Sequence, residues 1–232
     1  MTPFSPEAFF DLPVGPAAAL FKDVVHVWDA VAALPAYIEK IIQPEVLGEV
    51  EEGAWLEPGA VQLGKGSVVQ RGAIVRGPTI IGENTVIRSG ANIRGHVMIG
   101  DHCIIGGELR HVLTLNHTNV AHSYSGVFTS LLGNRVNVAG LSGTPNLRLD
   151  GQKIVIRIKQ DGKIVRYPTG LTYFGSVVGD DTKLAGLSVL QPGTVIGRRC
   201  VIYPQTIPSG YIPHNSLVIP KSVSFSVIPR ID

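Results

Sequence analysis

A six-residue step constrains this chain more than any other feature. Every sixth residue from position 63 is a large aliphatic: Leu63, Val69, Val75, Ile81, Ile87, Ile93, Ile99 and Ile105. Four places after each stands a small or medium residue: Ser67, Ala73, Thr79, Thr85, Ala91, Val97, Cys103 and Leu109. The register returns at Val178, Leu184, Leu190, Ile196 and Ile202, and shows briefly at Leu132 and Val138. A helix repeats every 3.6 residues and a half-buried strand every two, so a step of six fits neither. It fits one short strand plus one corner. Three such units close a triangular coil of about 18 residues, and stacked coils pair each strand with the one above. The aliphatic fills the prism, and the smaller residue sits near a corner where a large side chain has no room. The predicted fold is all-β, a parallel β-helix. Aromatics at 6% and a count of 27 glycines suit a coil of tight corners and small cores.

The step lapses twice, at about 111–127 and 147–174, and both stretches are expected to leave the coil as loop insertions. In the second, Ile154, Ile156 and Ile158 alternate with Val155, Arg157 and Lys159 before Asp161-Gly162 and Ile164-Val165, which reads as a β-hairpin turning on Asp-Gly. Ahead of the repeats, Leu20, Val24, Val27, Val31 and Leu34 make a helical stripe, with Pro35 expected to divide it into two short helices. Residues 1–44 are therefore expected to form a helical segment that caps one end of the prism, and residues 45–232 the β-helix. The apolar stretch Ser216–Ile228 is expected to pack along the coil or across subunits.

Residues 1–62 hold ten acids and two bases, while the remaining 170 residues hold 18 bases and 8 acids. A basic body suits anionic small molecules such as sugar phosphates or nucleotides, though exposed corners must be polar in any case. The bases are dispersed with few aromatics between them, which argues against nucleic acid. No apolar run is long enough to span a membrane and no secretory leader is visible, so a cytoplasmic location is expected. Cys103 and Cys200 both fall on the repeat's small position and read as two buried free thiols.

Four stretches carry a family resemblance. Arg88-Ser89-Gly90-Ala91 resembles an Arg-Pro-Gly-Ala motif, Glu108-Leu109-Arg110 a Glu-x-Lys, and Asn116 to Tyr124 a segment bearing a catalytic histidine. Asn137 through Thr144-Pro145-Asn146-Leu147-Arg148-Leu149-Asp150-Gly151 resembles an Asn-x-Gly-Ala-Gly-Thr-x-x-Asn-(Leu-Arg)-x-Asp-Gly run. These motifs are those of the left-handed β-helix acyltransferases. Within them the likeness is to the C-terminal acetyltransferase domain of the bifunctional N-acetylglucosamine-1-phosphate uridyltransferases. It covers roughly residues 45–220 and leaves out that family's nucleotidyltransferase domain, so no uridylyl transfer is expected.

The resemblance implies left-handed winding, a homotrimer with sites between subunits, and acetyl-CoA as acyl donor to an amino-sugar phosphate such as glucosamine 1-phosphate, without a metal. It assigns His122 as general base, a role that suits an imidazole at neutral pH. Arg88, Arg110, Tyr124, Asn137, Asn146 and Lys153 would bind substrate, and Gly186 and Tyr203 the acyl-CoA. Arginine at 110 replaces the usual lysine, keeping charge but changing reach. The tyrosine after His122 comes one place early, an aspartate that usually follows is absent, and the Gly140–Thr144 spacing differs, which leaves the acceptor open. Two other readings compete. One is a zinc enzyme of the γ-carbonic anhydrase type, since His117 and His122 have the separation of two of its ligands. The other is a non-catalytic trimer that binds sugar nucleotides.

Overall fold

The computed structural model describes residues 2–221, and it is a left-handed parallel β-helix. The part of the apolar C-terminal stretch beyond Lys221 lies outside the described residues. The coil has three faces. Face 1 stacks nine two-residue strands, from Glu49–Val50 to Leu217–Val218. Face 2 runs from Trp55–Leu56 through Ile74–Arg76, Asn92–Arg94 and Glu108–Arg110 to Gly143–Thr144. Face 3 runs from Val61–Leu63 to Tyr211–Ile212. Partner strands lie 18 residues apart where the repeat is regular, as in Val68↔Val86 and Val86↔Ile104.

The hexad aliphatics fill the prism as expected. Leu63, Val69, Val75, Ile87, Ile93 and Ile105 are fully buried in one continuous core. The small corner position is polar for a reason that the spacing did not reveal. Ser67, Thr85, Thr118 and Thr182 donate their hydroxyls to Gly82, Gly100, Gly133 and Gly197 carbonyl oxygens at 2.6–2.9 Å. A carbonyl facing a dry prism would otherwise go unpaired, at a cost of about 1–3 kcal/mol. Cys103 and Cys200 occupy the same column, both free and buried, with Sγ directed at the Leu115 and Pro213 carbonyls. At the edge between faces 3 and 1, Asn84, His102, His117, Arg135, Asp181, Arg199 and Asn215 all have positive φ near +55°, so one left-handed corner repeats up the stack.

Three expectations need correction. Residues 111–127 do not leave the coil. The strand Glu108–Thr114 bends round the edge from face 2 to face 3, and Ile104 pairs with Asn119 only 15 residues on. The lapse is thus a coil shortened by three residues rather than a loop. Second, Pro35 does not divide the helix. After a first helix α1, Pro6–Phe9, and a 3-10 turn over Gly15–Phe21, α2 runs uninterrupted over Asp29–Ile41. Proline forfeits one backbone bond there, but Leu34 and Ile38 beside it are fully buried and hold the helix down.

Third, the N-terminal segment covers a side of the prism, not its end. In each face-3 triplet the middle residue points outward, and Ile80, Met98, Leu113, Leu131, Val177 and Val195 form an apolar stripe up the outside. The stripe is at most 4% exposed because Phe4, Phe9, Trp28, Leu34 and Ile38 pack over it. Each such side chain contributes about 1.5–3 kcal/mol on burial. The insertion at 147–174 does leave the coil. Val155–Gln160 pairs antiparallel with Lys163–Pro168 across Asp161-Gly162, both at positive φ, and Ile154 and Ile156 pack onto the same N-terminal layer.

Candidate functional site

Seven of the nine expected site residues lie at two edges of face 2. The edge between faces 1 and 2 carries Arg88, His122, Tyr124, Gly186 and Tyr203. Its corners differ in length. Four residues, 88–91, separate Val86–Ile87 from Asn92–Arg94, but only Gly106-Gly107 separates Ile104–Ile105 from Glu108, and five, 121–125, precede Gly126. A Cβ at Gly106 would strike the Ala121 carbonyl oxygen. The longer corner leans over the short one until a Cβ at Gly90 would stand 3.4 Å from Ser123 Oγ. His122 and the Arg88 corner, two coils apart, are brought together in this way.

The His122 side chain is exposed, and its ring lies against Gly140. A Cβ at 140 would come within 3.4 Å of the imidazole. Tyr124 is 83% exposed, and Leu141, Leu187 and Tyr203 continue an exposed apolar column up the same edge. Gly186 sits in that column, directly over the Gly140 carbonyl oxygen. On face 2 itself the outward positions are bare where the strands reach Gly126 and Gly143, and Phe128 leans over the former.

The edge between faces 2 and 3 carries Arg110 and Asn146, which line a cavity of about 510 Å³. Asn146 Nδ2 donates to Thr129 Oγ1 at 2.8 Å, and Tyr173 and Leu171 close the far side from the base of the hairpin. Asn137 lies apart from both groups, on the outer surface of face 1 between Asn119 and Lys183. Lys153 is exposed at the start of the hairpin and does not line the cavity. His117 stacks on His102, ring centroids 4.9 Å apart, at the edge between faces 3 and 1. Among the described residues no group of three or more His, Cys, Asp or Glu side chains is placed to hold a metal ion.

Several participants were not singled out from sequence. His111 lines the cavity at φ +62°, and its Nε2 is buried without a hydrogen-bond partner among the described residues. Burial first, then the like charges of His96 and Arg110, hold its pKa below the usual histidine value. Beside it His96 is bound through Nε2 to Glu39 of α2 at 3.0 Å. Val31 and Ala32 of the same helix form the cavity's near wall. Nothing in the local pattern at 110 points to them, because they lie some 80 residues earlier in the chain.

Residues 78–108 match the family described as bacterial transferase hexapeptide (six repeats). These residues of the chain carry that family's hexapeptide repeat. Among relatives of this hexapeptide-repeat chain, the bifunctional protein GlmU of Methanococcus maripaludis strain C7 is 35% identical over 204 residues, 87% of this chain and 47% of that protein. The GlmU of strain S2 is 30% identical over the same shares. The chain thus spans about half the length of the curated relatives it matches. A solved structure, that of the polySia specific acetyltransferase NeuO, aligns over 73% of this chain and 79% of its own at 16% identity, with a TM-score of 0.43. No helix among the described residues is long and apolar enough to cross a membrane.

Proposed function

We propose that the protein is an acyl-CoA-dependent N-acetyltransferase acting on an amino-sugar phosphate of the glucosamine 1-phosphate kind, as a cytoplasmic homotrimer. The observation that carries this reading is the edge between faces 1 and 2. An exposed imidazole stands over a bare glycine, held beside the Arg88 corner, at the foot of an open apolar column. The similarity to GlmU over 87% of the chain supports the choice of chemistry.

The acceptor amine attacks the thioester carbonyl carbon, the C–S bond breaks, and CoA leaves as its thiolate. The amine must shed a proton as it attacks. His122 takes that proton and returns it to the departing sulfur, so the imidazole is unchanged over the cycle. The apolar column with Gly186 and Tyr203 offers the acyl-CoA a surface to lie along. Most of the rate would come from holding the two substrates in contact. Arg110 and Asn146 stand at the opposite edge of face 2 from His122. For each site to draw on two subunits of a trimer, one copy's second edge would have to meet the neighbour's first.

The test is release of free thiol from acetyl-CoA in the presence of glucosamine 1-phosphate. His122→Ala should abolish it and leave the assembly's mass unchanged. Stoichiometric zinc in the purified protein with no thiol release would favour the γ-carbonic-anhydrase-like reading. Neither signal would favour a binding protein.

A further inference from the structure

The edge between faces 3 and 1 carries a polar ladder. A side-chain oxygen of Asp180 accepts the Asn134 N–H at 2.6 Å, and one of Asn134 the Asn116 N–H at 3.2 Å. Asn116 accepts the Asp101 N–H at 2.9 Å, and Asp101 the Glu83 N–H at 2.8 Å. Glycines precede most of these rungs, at 82, 100, 133 and 179, and a Cβ at any of them would strike the next coil. A corner bare of side chains, beside the apolar stripe of face 3, leaves a groove that runs along the coil axis. Its upper part is filled by the chain itself. The Asp180 N–H donates to the Phe9 carbonyl oxygen at 3.0 Å, Asp180 Oδ2 accepts the Asp11 N–H at 2.6 Å, and the extended residue Phe10 lies over Gly133. The segment runs down past Pro13 and then departs, with Val14 91% exposed. Below that point the groove continues as a cavity of about 300 Å³. We propose that this lower part receives an extended segment of a partner protein, in which a large apolar residue is followed by a basic one. The inference does not depend on the acyl-transfer reading.

Three observations support it. First, the empty part is continuous with an interface that already holds an extended peptide. It is lined from Gly64 up to Asn116, where the docked segment's Pro13 and Val14 form its rim. Those are three steps between coils, about 14 Å at the usual strand spacing, which is room for about four extended residues. Met98 and Leu113 lie against it and offer apolar surface. Second, the acceptor that seats the docked segment recurs. Asp101 Oδ1 holds the N–H of the coil below, as Asp180 Oδ1 does. Asp180 Oδ2 takes the Asp11 N–H, whereas Asp101 Oδ2 makes no hydrogen bond with a described residue. A carboxylate is a strong acceptor for a backbone N–H. Third, the charge is reversed. Above, the carboxylate of the docked Asp11 is received by Arg135 and Arg198. Below, no arginine lines the cavity, Lys65 at its lower end is the single base, and the Glu83 and Asp101 carboxylates form no ion pair with a described residue. The position that Asp11 fills above therefore calls for lysine or arginine below.

The test uses two blocked peptides as probes on the full chain. One copies the docked segment, Ala-Phe-Phe-Asp-Leu, and the other carries arginine in place of the aspartate. Binding is followed by fluorescence anisotropy and by the methyl resonance of Met98, one of two methionines in the chain. The arginine peptide should bind about fivefold or more tighter than the aspartate peptide, and should shift the Met98 signal. N-methylation of its arginine amide removes the N–H meant for Asp101 and should weaken binding about tenfold. A Glu83→Gln/Asp101→Asn protein keeps an oxygen for the Glu83-position N–H but loses both charges, so the two peptides should bind it alike. Asp161→Asn, exposed at the tip of the hairpin, should preserve the preference. A preference that survives Glu83→Gln/Asp101→Asn, or binding that leaves Met98 unmoved, would overturn the proposal. An N-methylated peptide that binds as well as its parent would overturn the seating on Asp101. Failure of the unmodified protein to bind either peptide at millimolar concentration would overturn the site.

Discussion

Replacing Asp180 with alanine should destabilise the protein by about 4 kcal/mol, and the estimate follows from what its carboxylate holds. Asp180 is fully buried. It accepts the backbone N–H of Asn134 and that of Asp11, each at 2.6 Å, with Asn134 Nδ2 at 3.2 Å and Arg198 at 3.3 Å. Asp11 in turn binds Arg198 and Arg135, and Arg135 reaches Asp181 at 2.5 Å. One carboxylate thus ties the N-terminal segment to the corners of three successive coils. Alanine strands two backbone donors, at about 1–3 kcal/mol each. Arg198 keeps Asp11, so the full penalty of about 3–5 kcal/mol for a buried ion left alone does not apply. Burial holds the Asp180 carboxyl above the usual carboxylate range despite its donors, so its own titration does not weaken the fold as pH falls. The assay is guanidinium unfolding at pH 7, with amide exchange at Asp11 and Asn134 followed in parallel. A loss below about 1 kcal/mol, or unchanged protection at both amides, would refute the reasoning.

Four further outcomes follow. His122→Ala should lower thiol release by about a hundredfold or more while the unfolding midpoint stays put, since the ring is exposed; a smaller drop removes His122 from proton transfer. His111 and His214 are both held below the usual histidine value, first by burial, and His214 Nδ1 accepts the Arg198 backbone N–H at 2.9 Å, which a proton would prevent. The unfolded chain therefore takes up protons first, and stability that is complete above pH 6.5 should be lost as pH falls through that value toward the lower folded ones. A His111→Gln/His214→Gln protein should show a flatter dependence of midpoint on pH between 7.5 and 5, and an unchanged slope would count against this. Burial pushes the Cys103 thiol up to about 11, so iodoacetamide at pH 8 should leave it unmodified in the folded protein and alkylate it only after denaturation. Met98→Asp places a charge beneath the N-terminal layer and should cost more than about 3 kcal/mol, read as a fall in unfolding midpoint; a neutral result would mean the layer does not bind face 3.

The fold was legible because equal coils must place equal side chains at equal intervals, and the prism core of Leu63 to Ile105 is that rule written out. The shortened coil was not legible, because a deletion and an insertion both erase the step. From Ile105 the inward residues fall at Leu109, Thr114, Val120, Val127, Leu132 and Val138, so the spacing wanders between four and seven before six returns. Corners absorb such changes, and strand pairing does not register them. The pair Gly106-Gly107 was the local sign, since two adjacent glycines allow a corner too tight for side chains. The N-terminal cover was written in the repeats and passed over. Ile80, Met98, Leu131, Val177 and Val195 each immediately precede a core aliphatic, so they must face outward, and an apolar stripe on the outside of a solenoid has to be covered by something. His122 could be singled out as a candidate from a motif because its neighbours are local. The cavity beside Arg110 could not, since its wall comes from α2. Which helix residue reaches it depends on how the segment lies across face 3, and that is settled by Asp180, Asp11 and Glu39 acting across the whole length of the chain.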